Sequence, residues 1–539
     1  MSSFPKPSLA DHFRRNPGHA LFWIGFVFTI LIIPMNPLLM VSDSLKRFRS
    51  ASWIIGGENP GGFLPGVGGA THYWYGLGQS LVFIPFDRAL SALGVTNLVT
   101  RYSVTARLLY PLTNGLVLVL SWDALRLLGF RSRHCVLGTL VTLGVTTLPF
   151  HFQNNQENPL TLVCALTALV GILRWNDSGS LLWLNLACAA QAESILIRVT
   201  NLAYVLPLFG LPLLSRLLDR SRPLDPGREF RQTARLATVA IPWLVVAFAA
   251  DRWWQLVRFG TWSGTYMTIF QNWATSNFGG LPKGFPFSVP FRDGLVLQLV
   301  SPGKGVLFYE PLLVAAIVFG LSPWSRSSPR TRALVLTGVV ATLGTIVGLA
   351  QFYYWDSEPN WGPRYLASTA FLAELPLAAW VVSQLPRGAW RTRILAGVAG
   401  CLLVVQISGI WWPGYHENVE CVHRKGPEHV RRTSEFYTRG LPLQEPDGHT
   451  DWRFIDRPKG VIADLWRQMT LPGDAWVAGN PPMRMVWVTG ELKSLSPASR
   501  WAIRLVWLAG LGLVFWLARE ALLGEPKSRE SETPDPMPL

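Results

Sequence analysis

A run of about twenty residues without a charged side chain, from Ala20 to Val41, most constrains what this chain can fold into. A helix needs roughly 20 apolar residues to cross the hydrocarbon core of a bilayer. The apolar core of a cleaved signal peptide is shorter, at roughly 7–15 residues, so we expect a retained transmembrane helix. Because 49% of the 539 residues are hydrophobic and only 15% are charged, the composition favours a polytopic membrane protein over a soluble enzyme.

Hydropathy along the whole chain predicts an all-α polytopic membrane protein with about 12 transmembrane helices. Its extracytoplasmic loops are expected to bear short juxtamembrane helices and a small outer cap. The expected spans are 20–41, 104–125, 134–152, 159–173, 181–197, 199–215, 236–252, 305–322, 333–352, 365–384, 394–412 and 501–518.

Arginine is concentrated on one side of this predicted bundle. The connection 216–235 carries six arginines, whereas 150–158 on the other side has neither lysine nor arginine. The positive-inside rule therefore predicts that both termini are cytoplasmic. The expected location is the inner (cytoplasmic) membrane of the cell. The formal charge of +15 then reflects arginines that face anionic lipid, and it requires no nucleic acid partner.

This topology divides the chain into a transmembrane core and three shorter parts. The core is 1–412, followed by an extracytoplasmic cap segment at 413–500, a last transmembrane helix at 501–523 and a disordered cytoplasmic tail at 524–539. The outer loops of the core are 42–103, 150–158, 253–304 and 353–364. Most of the unusual polar motifs fall in these loops.

The first outer loop begins with one carboxylate followed by cations. Asp43 stands just beyond the first span, and Lys46, Arg47 and Arg49 follow it. A carboxylate at the water–lipid boundary can take a proton from an acceptor hydroxyl, while the cations neutralise a departing phosphate. The alternative is that Asp43 caps a helix and the cations meet lipid head groups.

The second polar motif is the loop 150–158, in which Glu157 is the only acidic residue. Asn154 and Asn155 carry amides that both donate and accept hydrogen bonds, which suits a sugar or an acceptor. The alternative is a polar loop in which Asn158 and a following proline start the next helix.

Two further motifs stand at the outer mouths of spans. In "SPGKGVLFYEP" (301–311), glycines flank Lys304, which is placed to meet a phosphate oxygen. In "NWGPRYL" (360–366), Arg364 enters a span, and Tyr354 and Trp361 nearby are candidates for sugar contact. The alternatives are a tight turn before a helix and an interfacial aromatic belt.

Other features carry less chemistry. The segment 415–429 holds several possible metal ligands, but no established ligand spacing fits, so no metal or other cofactor is expected. Glu193 lies five residues before Arg198 inside a predicted span, and we expect these two to form a structural pair.

The motifs "SPGKGVLFYEP", "NWGPRYL" and "ENPL" (157–160) resemble the GT-C class of membrane glycosyltransferases, which use polyprenyl-phosphate sugars. This class includes protein O-mannosyltransferases and the aminoarabinose transferases of lipid A, and the closer resemblance is to a group of bacterial proteins assigned to the same class. The resemblance implies that Asp43 is the catalytic base. It implies that Lys304 and Arg364, with Arg47 and Arg49, bind the donor phosphate. Asp43 has no acidic neighbour in the sequence, and Glu157 would supply a second carboxylate.

The expected function is transfer of a hexosyl or pentosyl unit to an acceptor hydroxyl on the extracytoplasmic face, in a single inverting displacement. The expected partners are a polyprenyl-phosphate sugar donor, a lipid, glycan or protein acceptor, and membrane lipids. A transporter or flippase for a lipid-linked sugar or anionic lipid would also need cations and carboxylates along a lipid-accessible path. A noncatalytic assembly factor is the third alternative.

Overall fold

The structure is a computed structural model of the 539-residue chain. It describes residues 8–32, 43–62, 64–153, 157–219, 221, 223, 225–278, 287, 290–300, 305–310, 312–313, 327–352, 364–384, 390, 393–394, 397, 400–401, 403, 406 and 496–524. Within these residues the chain is mostly helical. The predicted tail lies almost entirely outside the described residues, as do most of the predicted span 305–322 and nearly all of the cap.

The helices are named in chain order. They are α1 (Leu9–Arg15), α2 (Pro17–Ile32), α3 (Asp43–Ile54), α4 (Gly78–Ala92), α5 (Leu98–Leu127), α6 (Ser132–Val145), α7 (Leu148–Gln153), α8 (Asn158–Ser178), α9 (Leu181–Ile197), α10 (Leu202–Leu218), α11 (Pro226–Phe259), α12 (Tyr266–Phe278), α13 (Phe291–Val300), α14 (Val306–Tyr309), α15 (Pro329–Leu349), α16 (Ala367–Gln384) and α17 (Pro497–Leu523). One short antiparallel pair, β1 (Leu64–Pro65) and β2 (Thr71–His72), lies between α3 and α4.

Six of the described helices are long and apolar enough to cross a membrane: α5, α8, α10 with the 3-10 turn before it, α11, α15 and α17. The helices α2 and α9 are apolar but shorter. Large apolar side chains on the long helices face outward, among them Val245, Phe248, Val506 and Phe515. Such a surface suits lipid rather than water. The all-α membrane class is therefore confirmed, and the number of twelve spans stays a prediction.

The starts and ends of the long helices follow from local sequence. A proline opens α11, α15 and α17, and the residue before it caps the helix: Asp225, Ser328 and Ser496 each accept a hydrogen bond from a backbone amide of the first turn. Gly179 ends α8 and Gly260 ends α11, with φ angles of 69° and 68° that L-residues rarely adopt.

The predicted span 134–152 is two helices rather than one. The helix α6 ends at Val145, and α7 begins at Leu148. Between them, the Thr146 hydroxyl donates to the Thr142 carbonyl at 2.7 Å and accepts from the Leu148 amide at 3.3 Å. Thr146 thus closes one helix and caps the next, and a hydrophobicity average across this segment does not register that break.

Small residues bring the helices of the bundle together. The helix α2 packs on α5 and α17, α8 packs on α5 and α9, and α16 packs on α6 and α15. A Cβ on Gly25 of α2 would lie 2.7 Å from the Asn114 carbonyl, and one on Gly138 of α6 would lie 2.7 Å from the Ala379 methyl. Close backbone approach of this kind is typical of helix packing in membranes.

Salt bridges at one end of the bundle link helices whose ends were predicted to share a side. Arg14 in α1 contacts Glu520 in α17 at 2.6 Å, and Arg174 in α8 contacts Asp123 in α5 at 2.5 Å. We call this the terminal end, because the first and last described helices meet there. The first and last described helices therefore meet at the same end, whereas the compartment that this end faces stays a prediction.

Candidate functional site

The opposite end of the bundle centres on Glu157, the residue before α8. Its side chain is 0% exposed. Arg364 donates through Nη2 to Glu157 Oε1 at 2.8 Å and Oε2 at 2.9 Å, and Arg47 Nη1 donates to Oε2 at 2.9 Å. Arg198 pairs with Oε1. Burial alone would raise the pKa of Glu157, but Arg198, Arg364 and Arg47 more than offset it and hold that pKa well below its usual value.

Asp43, the first residue of α3, lies beside this buried carboxylate. Its Oδ2 accepts from Arg364 Nη2 at 3.3 Å, and its Oδ1 accepts from the Tyr75 hydroxyl and lies 3.5 Å from Lys46 Nζ. The Asp43 side chain is 25% exposed. Burial acts to raise its pKa, but Arg364, Arg47 and Lys46 outweigh this and lower it. Asp43 is therefore an ionised carboxylate that a ligand can reach.

Arg364 thus bridges the two carboxylates that the sequence singled out. We call the whole group the Asp43–Arg364 cluster, and its members are Asp43, Lys46, Arg47, Glu157, Arg198 and Arg364. Within the described residues, four cations face two carboxylates, which leaves a formal surplus of two positive charges. Such a surplus favours binding of an anion.

The helix α3 is fixed in place by its other face. Phe48 packs edge-on against Phe83 of α4 and Tyr102 of α5, with ring centroids 5.5 and 5.6 Å away. The Ser80 hydroxyl of α4 donates to the Arg47 carbonyl at 3.0 Å. Leu45 belongs to the same buried cluster. Because these residues recur at helical spacing, they turn the opposite face of α3 toward Glu157 and Arg364.

Two tyrosines that sequence reasoning missed complete the cluster. The guanidinium carbon of Arg47 lies 4.2 Å from the ring centre of Tyr75, and that of Arg198 lies 4.5 Å from Tyr365. Burial first, and the Asp43 charge next, raise the pKa of Tyr75 well above its usual value, so its hydroxyl keeps its proton and acts as a donor. The available signals were the aromatic density of "THYWYG" (71–76) in an outer loop for Tyr75 and, for Tyr365, its place next to Arg364 in "NWGPRYL" (360–366).

The predicted partner of Arg198 was also wrong. The expected pair with Glu193 is not formed, and Arg198 binds Glu157 instead. The helix α9 ends at Ile197, and Arg198 has extended backbone angles (φ −157°, ψ 119°). Its side chain therefore leaves the helical face that carries Glu193.

The other predicted site residues divide into two groups. Arg49 is described, but it lies two residues beyond Arg47 on the opposite side of α3, next to Gly61, and no contact with the cluster is found within the described residues. Five lie outside the described residues, so their roles stay predictions: Lys304, Asn154, Asn155, Tyr354 and Trp361.

A small groove opens beside Arg198 and Arg364. It is narrow, with room for little more than a water molecule, and each described residue that lines it has a polar side chain. Asn158, Thr161 and Asn201 are among them. Thr161 is buried, and its hydroxyl has no hydrogen-bond partner within the described residues. The groove therefore offers hydroxyl and amide groups next to two guanidiniums.

Metal ligands are not grouped in the described part of the chain. No cluster of three or more His, Cys, Asp or Glu side chains is placed there to hold an ion. The segment 415–429 lies outside that part, so the expectation about its histidines stays a prediction.

Comparison with known proteins adds no relative. No protein family matches the chain, and no curated protein matches it.

Proposed function

We propose that this chain is a membrane glycosyltransferase that moves a sugar from a polyprenyl-phosphate donor to an acceptor hydroxyl in one inverting displacement. The observation that carries the proposal is Asp43, a partly exposed carboxylate that Arg364 contacts at 3.3 Å in a cluster with surplus positive charge. The cluster lies at one end of a bundle whose apolar helices suit a bilayer. An ionised base beside cations is what transfer from a lipid phosphate requires.

The cations differ in how far a ligand can reach them. Lys46 is 39% exposed and Arg198 is 20% exposed, whereas Arg47 and Arg364 are 3% and 7% exposed. We therefore assign contact with the donor phosphate chiefly to Lys46 and Arg198. The two buried arginines hold the carboxylates and add to the positive potential.

The chemical step is a displacement at the anomeric carbon. Asp43 accepts a hydrogen bond from the acceptor hydroxyl and takes its proton as the acceptor oxygen bonds to that carbon. The bond from the anomeric carbon to the phosphate oxygen breaks, and polyprenyl phosphate leaves with the electron pair. Lys46 and Arg198 stabilise the charge that develops on that oxygen. Because the pKa of Asp43 is lowered, the carboxylate is ionised and ready, and it takes the proton late in the step.

The sequence suggested that Glu157 is a second catalytic carboxylate, whereas in this proposal it positions the arginines. Both of its oxygens are occupied by guanidiniums, and it is fully buried. Within the proposal it arranges Arg47, Arg198 and Arg364 rather than touching substrate.

The test is the Asp43→Asn variant in purified form. Labelled polyprenyl-phosphate sugars serve as donors, and membranes from cells that lack the chain serve as the acceptor source. We expect a loss of about 10²- to 10⁴-fold in transfer, the usual contribution of a general base. The matched control is Asp177→Asn, which removes an aspartate from a salt bridge with Arg330, near the N-terminus of α15.

Two results would count against the proposal. Transfer by Asp43→Asn at the wild-type rate would remove the base assignment. A wild-type protein that consumes no donor, but carries the lipid-linked sugar across a vesicle bilayer, would favour the transporter.

A further inference from the structure

A buried arginine outside the cluster holds the loop that carries Tyr75. Arg258 lies in the last turn of α11 and is 1% exposed. Its Nη1 donates to the Tyr73 carbonyl at 2.6 Å and to the Tyr75 carbonyl at 3.2 Å. The guanidinium lies over the rings of Trp254 and Phe259, 4.5 and 4.8 Å from their centres. Arg258 therefore binds the backbone on both sides of Trp74.

This arginine has no carboxylate partner within the described residues, and its Nε and Nη2 make no hydrogen bond there. Burying a guanidinium without an opposite charge is costly. The hydrogen bonds that partly offset this cost are those to the Tyr73 and Tyr75 carbonyls. We therefore take the role of the buried guanidinium to be holding these two carbonyls in position.

The same loop is held closely at two glycines. A Cβ on Gly66 would overlap the Arg258 carbonyl and the His72 ring, and one on Gly76 would overlap the Leu196 carbonyl at the end of α9. Tyr75 is thus fixed between the end of α11 and the end of α9. Its hydroxyl has little freedom in where it points.

We propose that Arg258 is a positioning residue: it holds the backbone of Tyr75 so that the Tyr75 hydroxyl donates to Asp43. The inference rests on the proposed function, because it gives Asp43 the part of the base. Arg258 makes no direct contact with Asp43 within the described residues, and the shortest route between them runs through Tyr75, whose carbonyl Arg258 binds and whose hydroxyl donates to Asp43.

The pH at which Asp43 titrates depends on whether Arg258 holds Tyr75 and Tyr75 donates to Asp43. Among the described residues, the groups that face Asp43 are Tyr75, Lys46, Arg47, Glu157 and Arg364. Loss of the Tyr75 hydrogen bond removes a donor to the ionised carboxylate and shifts the titration of Asp43 to higher pH. A displaced loop has the same effect, so Arg258→Lys and Tyr75→Phe should shift it in the same direction.

The experiment is a double-mutant cycle with Tyr75→Phe, Arg258→Lys and both together. Each single change should lower kcat about ten- to hundredfold, the range expected for a hydrogen bond to a charged group. The double variant should be no slower than Tyr75→Phe by more than about twofold, since both changes break one chain of contacts. If the loss of kcat in the double variant equals the product of the two single losses, the inference is overturned, because Arg258 would then act independently of Tyr75.

Arg252 supplies the matched control. It lies earlier on α11, pairs with Asp251 at 2.5 Å and donates to the Gly264 carbonyl at 3.0 Å, and within the described residues it makes no hydrogen bond to the loop that carries Tyr75. Arg252→Lys should leave kcat and the titration unchanged, and a shift as large as that of Arg258→Lys would also overturn the inference. If Arg258→Lys does not fold, Arg258→Gln, whose amide keeps two N–H donors, takes its place in the cycle.

A second readout needs no turnover. The carbonyl band of protonated Asp43 is identified in infrared difference spectra as the band absent from Asp43→Asn, and its pH midpoint is followed in each variant. A shift in Tyr75→Phe and Arg258→Lys, with none in Arg252→Lys, supports the inference even if the wild-type protein transfers no sugar. In that case the proposed function is wrong, but the positioning role of Arg258 stands. Conversely, an unshifted midpoint in Arg258→Lys overturns the positioning role and leaves the proposed function standing.

Discussion

Glu157→Gln is the change that most directly tests whether the Asp43–Arg364 cluster is a unit of the fold. The substitution keeps the size of the side chain and removes its charge. Arg47 and Arg198 then lose the only carboxylate they contact within the described residues, whereas Arg364 keeps Asp43.

The magnitude follows from burial. Glu157 is fully buried, and Arg47 is 3% exposed, so water screens this pair little. Removing one partner of a buried ion pair typically costs about 3–5 kcal/mol, because the remaining charge is left uncompensated. We expect a loss of stability in that range. The control Asp177→Asn breaks a pair whose side chains are 35% and 40% exposed, and it should cost only about 0.2–1 kcal/mol.

The cysteines of the chain provide the assay. Cys135, Cys164 and Cys188 are free and buried, so a thiol-reactive dye reaches them only on unfolding. The purified protein, with Cys401 and Cys421 replaced by serine, is unfolded in detergent while dye labelling is followed. A loss of stability in Glu157→Gln within about 1 kcal/mol of the Asp177→Asn control would refute the reasoning, since it would mean that the cluster is well solvated.

The pH dependence of this stability has a definite sign. The pKa of Glu157 is lowered in the folded protein, so its contribution is fully present above the ordinary glutamate value of about 4.3. It is lost as the pH falls from that value through the lowered folded pKa. The difference in stability between wild type and Glu157→Gln should therefore be largest near neutral pH and shrink in acid.

The remaining predictions concern the loop and the base. Gly76→Ala should lower turnover at least about tenfold, because the new methyl overlaps the Leu196 carbonyl and displaces Tyr75, whereas Gly210→Ala, with open space around it, should not. Arg364→Met removes the strongest electrostatic influence that lowers the pKa of Asp43, so the acid limb of the kcat/KM profile should move to higher pH. An acid limb at the wild-type position in Arg364→Met would show that Arg364 does not set the ionisation of the base.

Sequence reasoning located the centre of the cluster because the ends of spans are visible in a sequence. Asp43, Glu157 and Arg364 each stand beside the predicted end of an apolar run on the same side of the membrane. Alternating helices bring such ends together without any knowledge of how they pack. The capped starts of α11, α15 and α17 were not predicted: the expected spans begin at 236, 333 and 501, whereas these helices begin at Pro226, Pro329 and Pro497, because a hydropathy average does not include the local capping signal.

The contacts of Tyr75 and Arg198 depend on features that a sequence does not display. Tyr75 lies beside Asp43 in a loop after β2 whose backbone is bound by Arg258, which is 183 residues further along the chain. Arg198 turns away from Glu193 because the backbone becomes extended after Ile197. In both cases the outcome is set by the path of a few irregular residues, for which propensity and periodicity make no prediction.

The two ends of the bundle differ in the balance of cations and carboxylates, and this difference bears on function. At the terminal end, Arg174 pairs with Asp123 and Arg330 with Asp177, one cation to one carboxylate, on partly exposed side chains. Such pairs cost little and contribute little. At the other end, the described cations outnumber the described carboxylates in a largely buried cluster, which works against folding because like charges repel strongly where the dielectric constant is low. Within the described residues, folding alone gives no reason for that surplus, whereas a bound anion such as a lipid phosphate would neutralise it and stabilise the folded state by mass action.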